Sequence, residues 1–362
     1  MSDELLGLVL AAQQAANLEA SINDDERLDE FLAYANCPYI EYTRWMMDFH
    51  CEYLNFDNGQ VTTTAKRFYL LLKINNQSVG VLPVVVKNFP HNSSFGSNAG
   101  PLLPPFLLPS LSRKQQRKIL QKCLSFYHQL AAHLNIKQLC SQFIFTPGES
   151  ETWYNLLLEQ GAVPKFSQEL YCDLSHSQER YLSLIRDKYR SHIRKAAKLW
   201  DVQVKLAVND ELYQQFKQLH IEVVGFKTRS DHTWQQLQDA VNANNAFCVF
   251  VFDNLGKMIG AAQFSHTQAQ AVYSVGVYDR SLFDQPLSHI VHYRAIEQMK
   301  AIGLKRYHIG ARCHPSEWMQ PSDKESQIGH FKEGFATESL FKVTLDWPLA
   351  DGKHDLRGQG ER

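Results

Sequence analysis

Ala246-Phe-Cys-Val-Phe-Val-Phe252, Asp253-Asn-Leu-Gly-Lys257, Met258-Ile-Gly-Ala-Ala-Gln-Phe-Ser265 and Ala271-Val-Tyr-Ser-Val-Gly-Val-Tyr278 are the residues whose reading decides the fold. Three strand-forming runs, the first two joined by the Asp253 to Lys257 turn, make an antiparallel meander. Working outward, the spacing predicts helices over Asp210 to Val224 and Thr233 to Ala243 before the meander. After it come a proline-containing bend, Leu282 to Pro286, and a helix from Leu287 to Ile302 closed by Gly303. A strand over Lys305 to Ile309 and a last strand, Leu340 to Leu345, complete the set. The unit is a helix pair, a meander, then helix, strand, helix, strand. The meander breaks the regular alternation of a doubly wound sheet.

The first half repeats this order. A helix is expected over Leu5 to Ile22, then an acidic patch at Asp24 to Glu26 and a helix over Tyr42 to Tyr53. Strands Arg67 to Ile74 and Ser78 to Val86 flank Asn75-Asn76, a strong hairpin signal. A glycine- and proline-rich segment follows, Gly96 to Pro109. The rest is a helix, Ser112 to Leu134, a strand, Gln138 to Phe145, a helix, Glu151 to Gln160, and a strand, Ser167 to Leu174. Gly80 of the first hairpin matches Gly260 of the second, and the repeat reads as an internal duplication. The expected architecture is α/β (α+β), two tandem lobes that each carry a mixed sheet flanked by helices. Residues 1–174 form the first lobe, 175–350 the second, and 351–362 a polar tail.

The chain has 362 residues, 44% of them hydrophobic, enough for two cores. Its formal net charge is −1, so contact with nucleic acid or another polyanion must come from a local patch. Seven cysteines without a Cys-x-x-Cys pair argue for reduced thiols and against a disulfide framework or a structural zinc site. Asp3 and Glu4 precede a short apolar run, unlike a secretory signal, and no run approaches the roughly 20 apolar residues of a spanning helix. These features predict a cytoplasmic protein without a transmembrane segment, and leave peripheral membrane association open.

Two stretches are candidates for chemistry. In Gln327 to Ser339, Lys332 stands between Phe331 and Phe335, and Gly334 permits close backbone approach. A lysine so placed either steadies a developing negative charge or covers core aromatics with its stem. The second is basic. Leu182, Ile185, Tyr189, Ile193, Ala196 and Trp200 keep helical spacing as a buried stripe, with Arg186, Arg190 and Arg194 down one flank. Lys188, His192 and Lys195 occupy the other flank. The row suits phosphates, and equally suits a solvated face. His308, on the late strand, is a candidate proton carrier or an ordinary histidine. Arg312 opens an irregular segment from Gly310 to Gln327 and fits a carboxylate or phosphate. His289, His292, Cys313 and His314 have no motif spacing for a metal, and none is expected.

The duplicated order resembles the GNAT acyltransferase fold present twice. The tandem form resembles the Fem-type (FemAB) aminoacyltransferases that build peptidoglycan cross-bridges, and their BioF2-like acetyltransferase relatives. The residues that carry the resemblance are Arg186 to Lys198, Met258-Ile-Gly-Ala-Ala262, Gly303 to Gly310, and His330-Phe-Lys-Glu-Gly-Phe335, which matches a Phe-Lys-x-Gly-Phe element. The resemblance implies an acyltransferase with Phe331 and Lys332 at the donor end. It favours substrate binding by the basic helix, Arg186, Lys188, Arg190, Arg194 and Lys195, to which the reading of the late strand and loop adds His308 and Arg312. The donor would be aminoacyl-tRNA or acyl-CoA, with no tightly bound cofactor. The acceptor would be an amine of a sugar-nucleotide or peptidoglycan precursor.

An ordinary acetyltransferase of this fold cradles the CoA pyrophosphate on a glycine-rich turn. Here that place reads Asp279 to His289 without glycine, which favours aminoacyl-tRNA. The alternatives are CoA-dependent acetylation of an amino sugar, and precursor binding without catalysis.

Overall fold

The computed structural model describes residues 2–57, 60–61, 64–98 and 100–349; the expected tail, 351–362, lies outside them. The chain runs α1 (Ser2–Ala15), β1 (Ala20–Ile22), α2 (Asp25–Tyr34), α3 (Arg44–Leu54), β2 (Phe56–Asp57), β3 (Gln60–Val61), β4 (Ala65–Ile74), β5 (Gln77–Lys87), β6 (Ser94–Gly96) and β7 (Phe106–Leu107). It continues through α4 (Arg113–His133), β8 (Gln138–Ile144), α5 (Glu151–Glu159), β9 (Val163–Asp173), α6 (Gln178–Leu184), α7 (Asp187–Leu199) and β10 (Asp201–Lys205). The remainder is α8 (Asp210–Val224), α9 (Asp231–Asn242), β11 (Ala246–Phe252), β12 (Met258–His266), β13 (Gln270–Tyr278), α10 (Leu287–Ala301), β14 (Arg306–Ala311), α11 (Asp323–Glu333) and β15 (Glu338–Pro348).

Two compact units emerge, and they interleave along the chain. One draws on the described residues of Met1–Phe31, Thr63–Lys165 and Val343–Arg362, the other on those of Leu32–Thr62 and Phe166–Lys342. In the first unit, β1, β4, β5 and β6 lie side by side, with β7 also on β5. Asn75 and Asn76, both at positive φ, form the two-residue turn between β4 and β5. Leu70, Leu72, Leu82 and Val84 pack with Leu5 and Val9 of α1, Leu124 and Tyr127 of α4, and Trp153 of α5. Val343, Leu345 and Trp347 close the same core, and the end of β15 lies beside β8, where Gln142 Nε2 donates to Thr344 Oγ1 at 2.8 Å.

In the second unit the strands run in the order β10-β11-β12-β13-β14-β9-β15. Strand β11 is buried on both faces, which explains its unbroken apolar sequence. Phe247, Val249 and Val251 point to a core built with α6, α7 and α10. Cys248 and Phe250 point to a second core with α3, α8 and α9. Strands β13 and β14 pair in parallel at only three positions, Gln270↔Arg306, Ala271↔Tyr307 and Val272↔His308, and then part.

The hairpins of the two units share an irregularity. Gly80 pairs with Leu72 and Ser78 with Lys73, so Val79 is extra; Gly260 pairs with Val251 and Met258 with Phe252, so Ile259 is extra. A bulge one residue before the matching glycine in both hairpins supports a common ancestral unit.

Several elements differ from the sequence expectation. The first helix ends at Ala15, because Asn17 enters the left-handed region at φ 48°, and Ala20–Ile22 is a strand. The acidic patch is the first turn of α2, where carboxylates suit the positive end of the helix dipole. The basic stripe is two helices broken at Ile185 and Arg186, and the irregular segment after Gly310 yields to α11 at Asp323 rather than reaching Gln327.

Candidate functional site

Helix α11 starts with a capping box: Glu325 N–H donates to Ser322 Oγ at 3.3 Å and Ser322 N–H donates to Glu325 Oε2 at 2.8 Å. It ends at Gly334, so the Phe-Lys pair occupies its last turn. The carbonyls that a helix end leaves open are taken by the break between α6 and α7. Tyr189 Oη donates to Phe331 O at 2.9 Å, Arg186 Nη2 to His330 O at 3.2 Å, and Arg186 N–H to Gly334 O at 3.0 Å. Tyr181 Oη and Cys172 Sγ both reach Phe335 O, at 3.2 and 3.1 Å. A Cβ at Gly334 would sit 2.7 Å from Tyr189 Oη and closer still to its ring carbons, so this close packing needs glycine. Arg186 caps a helix C-terminus, which suits its charge, and does not continue the row of Arg190 and Arg194.

The two side chains of the pair diverge. Phe331 lies among rings, with centroids at 5.1 Å to His289, 5.5 Å to Phe335, 5.6 Å to His292 and 5.9 Å to Tyr189. Lys332 runs toward Gly310, whose backbone is left-handed at φ 126°; a Cβ there would lie 2.6 Å from Nζ. Among the described residues the half-buried ammonium has no hydrogen-bond or ion-pair partner. Burial pulls its pKa down, and the nearby Cys313 and Glu169 push it back up.

Histidines line the aromatic side. His192 Nδ1 and His289 Nε2 are 3.2 Å apart, and His292 Nδ1 is 2.9 Å from Tyr307 Oη. Burial first, then the charge of Lys332, holds the pKa of His292 down to about 3. His289 is held at about 4 by burial, His192 and the cations of α7 and its start. The two therefore face different partners, and among the described residues no group of three or more His, Cys, Asp or Glu could hold a metal ion. Lys195 Nζ donates to Gln285 Oε1 at 3.0 Å.

Other expected residues are less free. Arg190 is paired with Asp187 and also donates to Leu182 O, at 3.4 Å, while the exposed Arg194 donates to Arg190 O at 3.2 Å. Among the described residues Lys188 and Arg194 have no ion-pair partner. Arg312 is engaged through Nε to Glu333 at 3.1 Å and Nη1 to Gln168 at 2.6 Å. A cleft beside it is lined by Phe166, Ser167, His314 and Phe341.

His308 stacks on Tyr171 at 4.6 Å, and its Nε2 lies 2.8 Å from Glu169 Oε2. Tyr307 and Ile309 enter the core with α7 and α10, so strand alternation sends His308 to the other face of the sheet, away from Phe331. Glu169 is buried and also paired with Lys342. Burial raises its pKa, but the hydrogen bond and charge of His308 and the charge of Lys342 outweigh this and bring it to about 2. The sequence reading missed Glu169; its signal is a carboxylate on the buried alternation of Ser167, Glu169 and Tyr171.

A helix pair, a bulged meander, strands that part after three pairs, and a helix after each late strand define a tandem GNAT fold. Solved structures share it. The chain superposes on FemX with a TM-score of 0.67 at 13% identity, covering 92% of this chain and 98% of that one. It is similar to a tandem GNAT protein from the clavulanic acid biosynthesis pathway, with a TM-score of 0.50, 12% identity, and 92% and 100% of the two chains covered. L-PGS from Bacillus licheniformis matches with a TM-score of 0.50 at 11% identity, over 89% of this chain and 91% of that one. At these identities the likeness is one of fold. No family model matches the chain, and no curated protein matches it in sequence. Among the described residues no helix is long and apolar enough to cross a membrane.

Proposed function

We propose that the chain is an acyltransferase that moves an aminoacyl group from aminoacyl-tRNA, or a related acyl group, to an amine of a cell-envelope or sugar-nucleotide precursor. The observation that carries this reading is Lys332: a half-buried ammonium without a partner among the described residues, set over a glycine beside the parting strands β13 and β14. An unpaired cation in that setting is costly unless a negative charge develops beside it.

The acceptor nitrogen attacks the ester carbonyl, a C–N bond forms, and negative charge collects on the carbonyl oxygen. Collapse breaks the C–O bond to the ribose, and the proton lost by the amine ends on the released hydroxyl. Lys332 stabilises the oxyanion, and Phe331, packed among the rings of His289, His292, Phe335 and Tyr189, anchors the last turn of α11 that carries it. Lys188, Arg194 and Lys195 supply positive charge for the donor's phosphates. His308 and Arg312 remain candidates for holding substrate through their Glu169 and Glu333 pairs. The absence of glycine between Asp279 and His289 supports an aminoacyl ester over CoA.

The test offers charged tRNA and acetyl-CoA separately to the purified chain, with a panel of amine-bearing precursors, and repeats the productive pair with Lys332→Met. Transfer from charged tRNA should fall about 10²-fold in the variant, while the melting temperature hardly moves. Turnover from acetyl-CoA alone would replace the donor, and precursor binding without turnover from either donor would make this a binding protein. Near-normal turnover of the Met variant would remove Lys332 from the chemistry.

A further inference from the structure

His308 and Glu169 lie on the face of the sheet that Phe331 and its ring cluster do not use. Glu169 is 3% exposed, and its Oε2 is 2.8 Å from His308 Nε2. A carboxylate held at a pKa of about 2 only accepts, so Nε2 carries the ring proton and Nδ1 keeps its lone pair. Among the described residues Nδ1 has no partner, and it is not enclosed: the side chain is 24% exposed. Tyr171 stacks on the ring at 4.6 Å and fixes its plane. An imidazole oriented by a buried carboxylate and open at its other nitrogen is built as a proton acceptor.

Other histidines lack this arrangement. His289 and His292 are held at about 4 and 3, with burial the largest cause, and among the described residues neither meets a carboxylate. His176 with Asp173 at 3.6 Å and His330 with Glu333 at 3.9 Å are longer contacts between more exposed groups. The charges around His308 are Glu169 of β9, Lys342 of β15 on the same carboxylate, and Arg306 of β14, 5.6 Å from the Tyr171 centroid. Glu41, in the segment before α3, also acts on Tyr171.

His308 is the last residue of β14 to pair with β13; beyond Val272↔His308 the strands part. Gly310 follows on β14, with Lys332 set over it from α11. Helix α11 packs Phe331 and Phe335 into the core that receives Tyr307 and Ile309, the face opposite His308. Glu169 is still close enough to Lys332 to push its pKa up. Imidazole and ammonium therefore flank one parting of the sheet from its two faces.

We infer that His308 is the base of the acyl transfer, held by Glu169 with Nδ1 toward the acceptor amine, which reaches the parting of β13 and β14 from the face opposite Lys332. This role rests on the acyltransferase reading above. As the amine nitrogen bonds to the ester carbon, its proton moves to Nδ1, and the Glu169 carboxylate balances the imidazolium. The C–O bond to the ribose then breaks, the proton passes to the released oxygen, and His308 is neutral again.

The test is the rate of transfer from charged tRNA to a subsaturating amine between pH 8.5 and 5.5, for the wild type and His308→Gln. Gln keeps an N–H for Glu169 and removes the basic nitrogen, so the melting temperature should hardly move. At pH 8 the variant should be about 10²-fold slower. Both proteins lose about tenfold per pH unit on acidification as the amine protonates; the wild type alone should steepen toward about a hundredfold per unit, once His308 protonates too. A wild type that transfers, with a Gln variant within about threefold of it at pH 8, would overturn this role alone. A wild type that transfers from no donor would overturn the acyltransferase reading and this role together. If the Gln variant does not fold, the wild-type profile decides: a constant slope down to pH 5.5 would overturn the role.

Discussion

Acidification from pH 7 to pH 5 should strip this protein of most of its stability, well above the range where carboxylates titrate. Burial holds His50, His220 and His289 at about 4 and His292 at about 3. In the unfolded chain each returns to about 6.5. Their folded values are depressed, so between pH 6.5 and 4 the unfolded state binds more protons and stability falls as pH falls. Each such proton is worth about 1.4 kcal/mol per pH unit, so four near pH 5 give a slope of about 5 kcal/mol per unit. Against the 5–15 kcal/mol typical of folded proteins, one unit consumes a large share. Urea unfolding followed by circular dichroism at half-unit steps from pH 7.5 to 4.5 measures the slope. His50 Nδ1 is buried without a hydrogen bond, so His50→Phe removes one proton from the balance and should flatten the slope by about 1.4 kcal/mol per unit. Stability constant to within about 1 kcal/mol between pH 7 and 5 would refute the reasoning, because these histidines would then titrate alike in both states.

Other outcomes follow from single contacts. Gly334→Ala pushes a methyl into the Tyr189 ring and should cost about 1–3 kcal/mol, with Tyr189→Ala restoring part of the loss, read from melting temperatures. Glu169→Gln leaves His308 and Lys342 facing a neutral amide and should destabilise by about 3 kcal/mol at pH 7. In the wild type the Glu169 contribution is present above its ordinary value near 4.5 and lost as pH falls toward about 2, so the gap between the two proteins should close at low pH. Replacing Lys188 and Arg194 by alanine should lower the slope of log affinity for tRNA against log salt by about 0.7–0.9 per residue; an unchanged slope would mean a merely solvated face.

The meander was legible because each strand is largely apolar and the Asp253-Asn-Leu-Gly-Lys257 turn separates the first two, and β11 to β13 lie where their sequence places them. Helix α11 was expected from the repeated order but not its bounds, although Ser322-Asp-Lys-Glu325 spells its capping box, because its following residues lack an apolar stripe: Ile328 is exposed. The break between α6 and α7 was hidden, since Ile185 and Tyr189 keep helical spacing across it while Arg186 takes an extended ψ of 129°. Phe331 and Lys332 stood out as a pair, yet their divergence depends on Gly310 and His289, remote in sequence. The link between His308 and Glu169 spans 139 residues and leaves no local pattern.

The interleaving of the two units has a consequence for how the chain is made. The first unit's core needs Val343, Leu345 and Trp347, which leave the ribosome after the whole of the second unit, so the unit begun first is completed after the other. The second unit needs Leu32–Thr62, which is synthesised early and waits for Phe166 onward. Cutting after Leu174 therefore leaves the amino-terminal fragment with an open core, and the carboxy-terminal fragment without Met46 and Phe49 beneath α8 and α9. Nascent chains arrested before Val343 should expose the apolar faces of α1, α4 and α5 to chaperones, and those faces close only once β15 has emerged.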